Sequence, residues 1–421
     1  MRGTVTIVGR HVRGDSTRGY AVSLFASVEM APDDPILGLV ETFLADPRPD
    51  KVNLSIGVYH DEQGRIPLLE TVREVELHLA QAAAARGYLP IDGLPAYNRL
   101  TQELLFGGRT DILAAGRVAT AQTIGGSAAL RVGADVLRQA LGGHAKVALS
   151  NPSWGNHAVV FRAAGFTVDQ YRYFDPASHG LNFAGMLEDL GRMERGSVVL
   201  LHACCHNPTG VDLDTAQWQQ VIAVLDERGL LPFVDMAYQG FDQGLEPDAR
   251  AVRLLADSPI PAFVVCNSYS KSFSLYGERV GALSVVGADR EEATRLLSRI
   301  KQTIRSIYSS PATHGGALVA GVLGSAELRA RWEAELGDMR SRIHAMRAGL
   351  VERLAARGAP QYAFINRQAG MFSYSGLSKA QVHRLRDEFA IYAVDNGRIC
   401  LAALSRDKLD AVADAIAAVS A

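Results

Sequence analysis

The sequence predicts an α/β protein in which helices cover a mostly parallel sheet, with a smaller α+β unit toward the C-terminus. Two observations carry that expectation. From about Leu69 to Gly324, short runs of β-branched and other apolar residues alternate with helix-like segments, the pattern of a parallel sheet covered on both faces. Beyond it, Leu328, Trp332, Leu336, Met339, Ile343, Met346, Leu350 and Leu354 recur every three or four residues, which predicts one long amphipathic helix.

The buried strands are expected at KVALS from Lys146, SVVLLHA from Ser197, LLPFVD ending at Asp235 and AFVVCNS from Ala262. Ligands of such sheets bind past the carboxyl ends of the strands, so the following loops are where chemistry is sought. After the long helix, Ser378 and Gln381 form a capping-box pattern for another helix. The run IYAVDNGRICLA then reads as a hairpin turning on Asn396-Gly397.

With 421 residues the chain is long enough for two or three domains at roughly 150 residues each. A net charge of -2 gives no reason to expect nucleic acid or an anionic membrane as partner. No run approaches the roughly 20 apolar residues that cross a bilayer, and Met1 to Tyr20, with four arginines and one acid, lacks the apolar core of a secretion signal. Residues 1–23 are expected to be a disordered leader outside the fold. Four cysteines, two of them adjacent at Cys204 and Cys205, match neither a disulfide scaffold nor a zinc spacing, so reducing cytoplasm is the expected location. The 11 histidines form no metal-ligand pattern, and no metal is expected.

Several loops carry chemistry. In TIGGSAALRVGADVLRQAL, Gly125, Gly126 and Ser127 open a helix whose free N–H groups suit a phosphate, the alternative being a tight turn with Ser127 as N-cap. Asp235 ends an apolar strand, where a carboxylate needs a cationic partner, and Tyr238 follows three residues later. HNPTG, His206 to Gly210, and NPSWG, with Trp154, are loops directly after strands; a plain turn and core packing are their ordinary alternatives. In SYSKSFSLYGERVG, Lys271 stands at the end of a buried run, where desolvation lowers an amine's pKa and makes it a nucleophile. Arg279 either meets a phosphate bidentately or is a solvated surface residue.

Together, a nucleophilic lysine, a buried aspartate, a phosphate cradle, an arginine and a stacking aromatic are the parts that hold pyridoxal phosphate. The runs DPILGL, KVNLSIGVYHDE, GYLPIDGLPAYNRLTQELLFG, NPSWGNH, CCHNPTG, AYQGF, SYSKSFSLYGERVG and GMFSYSGL resemble, in order from about Leu24 onward, the aspartate and aromatic amino acid aminotransferases. These are fold type I pyridoxal phosphate enzymes of aminotransferase class I, and the text lies closer to their aromatic branch.

The resemblance implies a small domain of residues 24–66 and 338–421 around a large cofactor-binding domain of residues 67–337. It makes Lys271 the Schiff-base lysine and Asp235 the partner of the pyridine nitrogen. Tyr238 and Asn207 bond the ring hydroxyl oxygen, Trp154 stacks on the ring, and Gly126, Ser127, Ser268 and Arg279 hold the phosphate. Tyr88 joins that site from a second subunit. Arg398 clamps the substrate α-carboxylate beside Gly57, Trp154 and Asn207, and Arg305 reaches across from the partner subunit toward a side-chain carboxylate. A homodimer with shared active sites follows, working on amino acids and 2-oxo acids in ping-pong fashion.

For substrate choice, Ile66, Ser127 and Ser310 resemble aromatic-type members, Val58 is the aspartate-type residue, and His60 and Gly87 match neither. The expectation is an aromatic amino acid aminotransferase that also accepts aspartate, with 2-oxoglutarate as acceptor. The alternative is an aspartate aminotransferase with little aromatic activity. A non-catalytic relative is disfavoured by the presence of Lys271 and Asp235, and a nicotinamide dehydrogenase by the lack of G-x-G-x-x-G. Other pyridoxal phosphate reactions on the same scaffold stay open, with Arg398 and Arg305 favouring transamination.

Overall fold

A computed structural model describes residues 23–30, 37–108, 111–142 and 146–421. The expected leader falls almost wholly outside them. Residues 23–30 belong to a unit of their own, in which Leu24, Phe25, Val28 and Met30 are exposed. The rest of the chain, from Pro35, forms the other unit.

Its centre is a seven-stranded sheet. The strands are β1 (Val118–Ile124), β2 (Lys146–Asn151), β3 (Thr167–Arg172), β4 (Val198–His202), β5 (Leu231–Met236), β6 (Phe263–Ser268) and β7 (Val280–Val286). They lie in the order β1-β7-β6-β5-β4-β2-β3. From β6 through β5, β4 and β2 to β3 every pairing is parallel, while β7 runs antiparallel to both β1 and β6. All four expected strands are present within a residue or two.

Side chains of a strand alternate between faces, and here both faces are covered. Phe233 packs with Phe161, Leu283 and Ile304 under helices α1 (Gly126–Leu141), α2 (Gly155–Ala163) and α3 (Arg290–Ile307). Val234 and Met236 pack on the other side with Trp218, Leu225 and Phe106. Burial on both faces is why these strands read as unbroken apolar runs.

The long helix is α4 (Ala326–Ala356), 31 residues or about 46 Å of rod. Its Trp332, Leu336, Met339 and Ile343 lie in one apolar cluster with Tyr97, Tyr269 and Phe273. Its Met346, Leu350 and Leu354 lie in another, with Val52, Ile399, Leu409 and Val419. Within the second stretch sits buried Arg347, whose guanidinium donates to the carbonyls of Ile365 (3.1 Å), Gly370 (2.6 Å) and Phe372 (3.0 Å). The capping box at Ser378 and Gln381 starts α5 (Lys379–Phe389).

The expected hairpin at Asn396-Gly397 closes at its turn, where the Val394 N–H donates to the Arg398 carbonyl at 3.2 Å, but does not extend into a ladder. Ile391–Tyr392 pairs in parallel with Val52–Asn53, and Arg398–Cys400 pairs antiparallel with Phe372–Tyr374. The turn exists, with Gly397 at φ +85 and its N–H 2.8 Å from the carbonyl oxygen of Val394. Both flanking runs are buried, however, and beyond the turn each pairs with a strand from elsewhere in the chain.

The antiparallel strand positions the site. Because β7 begins where its antiparallel neighbours β1 and β6 finish, Arg279, just before it, lies at the same end of the sheet as Ser268 and Gly125. Gly281 is the residue that permits this approach: a Cβ there would lie 2.7 Å from both the Asn267 oxygen and the Gly125 carbonyl carbon. Backbone neighbours cannot swing aside, so Gly281→Ala should destabilise the protein by about 1–3 kcal/mol in urea unfolding.

Candidate active site

The carboxyl ends of β1, β2, β4, β5 and β6 meet around one cavity. Its lining includes Gly57, Gly126, Ser127, Trp154, Asn207, Asp235, Tyr238, Ser268, Lys271 and Arg279, so ten residues singled out in the sequence converge there. Arg398 stands behind them, bonded to Asn207.

Asp235 is the next-to-last residue of β5 and points to the face shared with Phe233. In the parallel ladder it lies opposite His202 on β4 and Cys266 on β6. His157, on the first turn of α2, brings its Nε2 to 2.8 Å from Asp235 Oδ2. The Ser153 hydroxyl then fixes the imidazole through Nδ1 at 2.9 Å. Burial pushes the Asp235 carboxyl up, but the hydrogen bond from His157 and the nearby Lys271 amine outweigh it and hold the pKa below the ordinary value. Burial next to His157 drives His202 down to about 3, against the pull of Asp235, so it stays neutral.

Lys271 lies in the turn after β6. Removal from water lowers its amine to about 8; the Asp235 carboxylate opposes that shift, and Arg279 and Arg398 add to it. The turn is pinned from α4, where the Trp332 indole donates to the carbonyl of Ser272 at 2.7 Å and the ring stacks on Phe273 at 4.4 Å. Lys271 Nζ sits 5.2 Å from the centroid of the Tyr238 ring. Burial raises the Tyr238 phenol, which therefore remains a donor at neutral pH.

At the other end of the cavity α1 begins with Gly125 as its N-cap, at φ +87 and with no side-chain cap. Ser127 is thus the second helical residue and not the cap. Its hydroxyl and the leading N–H groups are left to face the cavity. Arg279 approaches so closely that a Cβ on Gly125 would lie 2.5 Å from its Nη2. It donates to the Tyr276 carbonyl at 2.8 Å and the Ser270 hydroxyl at 3.5 Å, not to a carboxylate. An uncapped helix start, an arginine free of acid partners and the hydroxyls of Ser127, Ser268 and Ser270 suit a phosphate.

Arg398 is 4% exposed. Its Nη1 donates to Asn207 Oδ1 at 3.1 Å and its Nη2 to the Ser55 carbonyl at 2.5 Å, while the buried Nε has no partner. A buried guanidinium with donors to spare is a receptor for a carboxylate. Against the cations Lys271, Arg279 and Arg398 the site sets one carboxylate, Asp235, so it favours an anionic guest.

Some expected residues are not gathered by this chain alone. Tyr88 is 98% exposed, and Arg305, whose guanidinium donates to the Ser309 hydroxyl of its own helix end, is exposed as well. Of the residues expected to shape the side-chain pocket, only Ser127 lines the cavity. Val58 is buried, Ile66 and Gly87 are exposed, and His60 and Ser310 are half-buried. Sequence reasoning missed His157, His202 and Ser270. The signals were there: His157 is one turn from Trp154, His202 ends a strand beside that of Asp235, and Ser270 is two residues from Ser268.

Residues 49–416 match the family described as aminotransferase class I and II. An aspartate aminotransferase from Pseudomonas aeruginosa is 57% identical over 399 residues, 94% of this chain and 100% of that protein. An aromatic-amino-acid aminotransferase from Escherichia coli is 49% identical, again over 94% of this chain and 100% of the other. Among solved structures, an aromatic-amino-acid aminotransferase from Burkholderia pseudomallei, covalently bound to pyridoxal phosphate, superposes with a TM-score of 0.92 at 59% identity, covering 94% of this chain and 100% of that one.

Only a neutral amine attacks an aldehyde. In the cofactor-free protein, the rate of imine formation at Lys271, followed by stopped-flow absorbance, should rise about tenfold per pH unit and level off near pH 8. Asp235→Asn removes the charge that favours the ammonium, so the break should move to lower pH.

Proposed function

The chain belongs to the class I and II aminotransferases, and from that membership we propose that it transaminates aromatic amino acids and aspartate, with 2-oxoglutarate as amino acceptor. Its cofactor is pyridoxal 5′-phosphate. The observation that carries the reading is the pairing of an amine drawn down to about 8, Lys271, with an ionised carboxylate, Asp235, in a cavity whose other charges are cationic.

The residues present fit that cofactor: Lys271 would hold its aldehyde, Asp235 would pair with the ring nitrogen, and Tyr238 and Asn207 would serve the ring oxygen. Trp154 would pack on the ring, and Gly126, Ser127, Ser268 and Arg279 would take the phosphate. Bound there, the cofactor supplies an electron sink for the charge left when the substrate α-proton departs. The chain does the rest. Arg398 captures the α-carboxylate and so orients the α-carbon over Lys271. The Lys271 amine, close to half neutral near pH 8, takes and returns the α-proton. His157 keeps Asp235 charged and in place. Amino acid and 2-oxo acid use the same arginine in turn, which gives ping-pong kinetics.

Closure of a small domain, residues 24–66 and 338–421, on the large domain, residues 67–337, would exclude water during proton transfer. A two-fold homodimer completes the site, with Tyr88 and Arg305 supplied by the partner subunit. Their exposure in the single chain supports this. Among the described residues no helix is long and apolar enough to cross a membrane, which fits an enzyme of the cytoplasm acting on small solutes. A relative named for aspartate at 57% identity and a solved structure named for aromatic amino acids at 59% are nearly equally similar, which supports dual specificity. Aspartate alone is the second reading, favoured by Val58.

The test is kcat/KM for phenylalanine, tyrosine and aspartate with 2-oxoglutarate. Values within about a hundredfold of one another are expected, the span one pocket produces between related side chains; aspartate ahead by more would select the second reading. Shared sites are tested by mixing. Dimers refolded from equal parts Lys271→Ala and Arg305→Ala chains should regain about a quarter of wild-type sites, because half the dimers carry one intact site. An arginine acting within its own chain would restore none.

A further inference from the structure

Arg398 stands behind the cavity lining, and one face of its guanidinium is covered. The guanidinium carbon lies 4.2 Å from the centroid of Phe372. The contact follows from strand register: Phe372 pairs with Cys400 and Tyr374 with Arg398, so Phe372 and Arg398 are diagonal neighbours on one face of the two-stranded ladder. Phe372 is 2% exposed and is not part of the cavity lining.

Its ring is held on the remaining sides. The Tyr238 ring meets it edge-on at 5.7 Å and 83°. The backbone of Gly57 packs so closely that a Cβ there would lie 2.7 Å from Phe372 Cζ. From behind, Arg347 of α4 fixes the Phe372 carbonyl at 3.0 Å. A ring so confined has one orientation, and a planar cation lying over it is restrained by that ring. The two hydrogen bonds to Asn207 and Ser55 fix the position of Arg398 but leave its tilt to this contact.

We propose that Phe372 is a positioning residue for substrate binding: it sets the plane of the Arg398 guanidinium, so that the unused donors meet the α-carboxylate of amino acid and 2-oxo acid alike. Gly57 is glycine because Phe372 fills the place of its side chain. The inference rests on the function proposed above.

The test uses the enzyme loaded with pyridoxal phosphate and two probes, 3-phenylpropanoate, which has the carboxylate, and 2-phenylethylamine, which lacks it. Phe372→Leu should weaken 3-phenylpropanoate about tenfold in isothermal titration. The half-reaction rate with 2-phenylethylamine should stay within about twofold of wild type. In an Arg398→Ala background, adding Phe372→Leu should change kcat/KM for phenylalanine no further, because the ring acts only through the arginine. If Phe372→Leu does not fold, Phe372→Met, closer in volume, gives the same readings. Equal weakening of both probes, or additive losses in the double variant, would assign the ring to general packing and overturn the proposal. A wild-type enzyme that took up the cofactor but failed to bind 3-phenylpropanoate would overturn the functional reading and this proposal together.

Discussion

The site depends on keeping one carboxylate ionised where water is excluded. Asp235 is carried to the edge of the sheet by a strand buried on both faces, so its charge has to be balanced by protein groups. His157 bonds it directly, His202 stands beside it, and Lys271 faces it. The same charge keeps the Lys271 amine from falling below the range in which it titrates usefully. Remove the carboxylate, and neither the amine nor the imidazole has a reason to sit where it does.

The second constraint is topological. Parallel strands place loops at one end of the sheet, and a residue that precedes a strand reaches that end only if its own strand runs the other way. Running β7 backward between β1 and β6 achieves this and sets Arg279 against the start of α1. Small residues at 125, 126 and 281 follow from the crowding: each has backbone or side-chain atoms where a Cβ would go, within 3.1 Å.

Much of this was legible in the residues. Strands such as Phe263–Ser268 were visible because two covered faces leave no polar alternation, and the long helix was visible because its apolar period persists for eight turns. The hairpin was misread because Asn396-Gly397 specifies a turn and not the partners of the strands beside it. Ile391 and Arg398 each found a partner far away in sequence, information that local chemistry does not carry. Ser127 was offered as a cap, yet Gly125 takes that position because the close approach of Arg279 leaves room for nothing larger. Lys271 and Asp235 stand out in the sequence because their surroundings in the chain are unusual for their chemistry, whereas Asn207, in a loop that also reads as a plain turn, is singled out only by the resemblance. His157 and His202 passed unnoticed because a lone histidine in an apolar stretch looks ordinary until the ladder sets it beside Asp235. Tyr88 and Arg305 remain on the surface of the chain.

The buried arginine of α4 limits how the gene can drift. Arg347 reaches the carbonyls of Ile365, Gly370 and Phe372 from a single planar fork, and a lysine, with one compact ammonium, cannot span that set. The commonest exchange between basic residues is therefore closed at this codon. Homologues that do vary there are expected to have rebuilt the whole 365–372 segment in step.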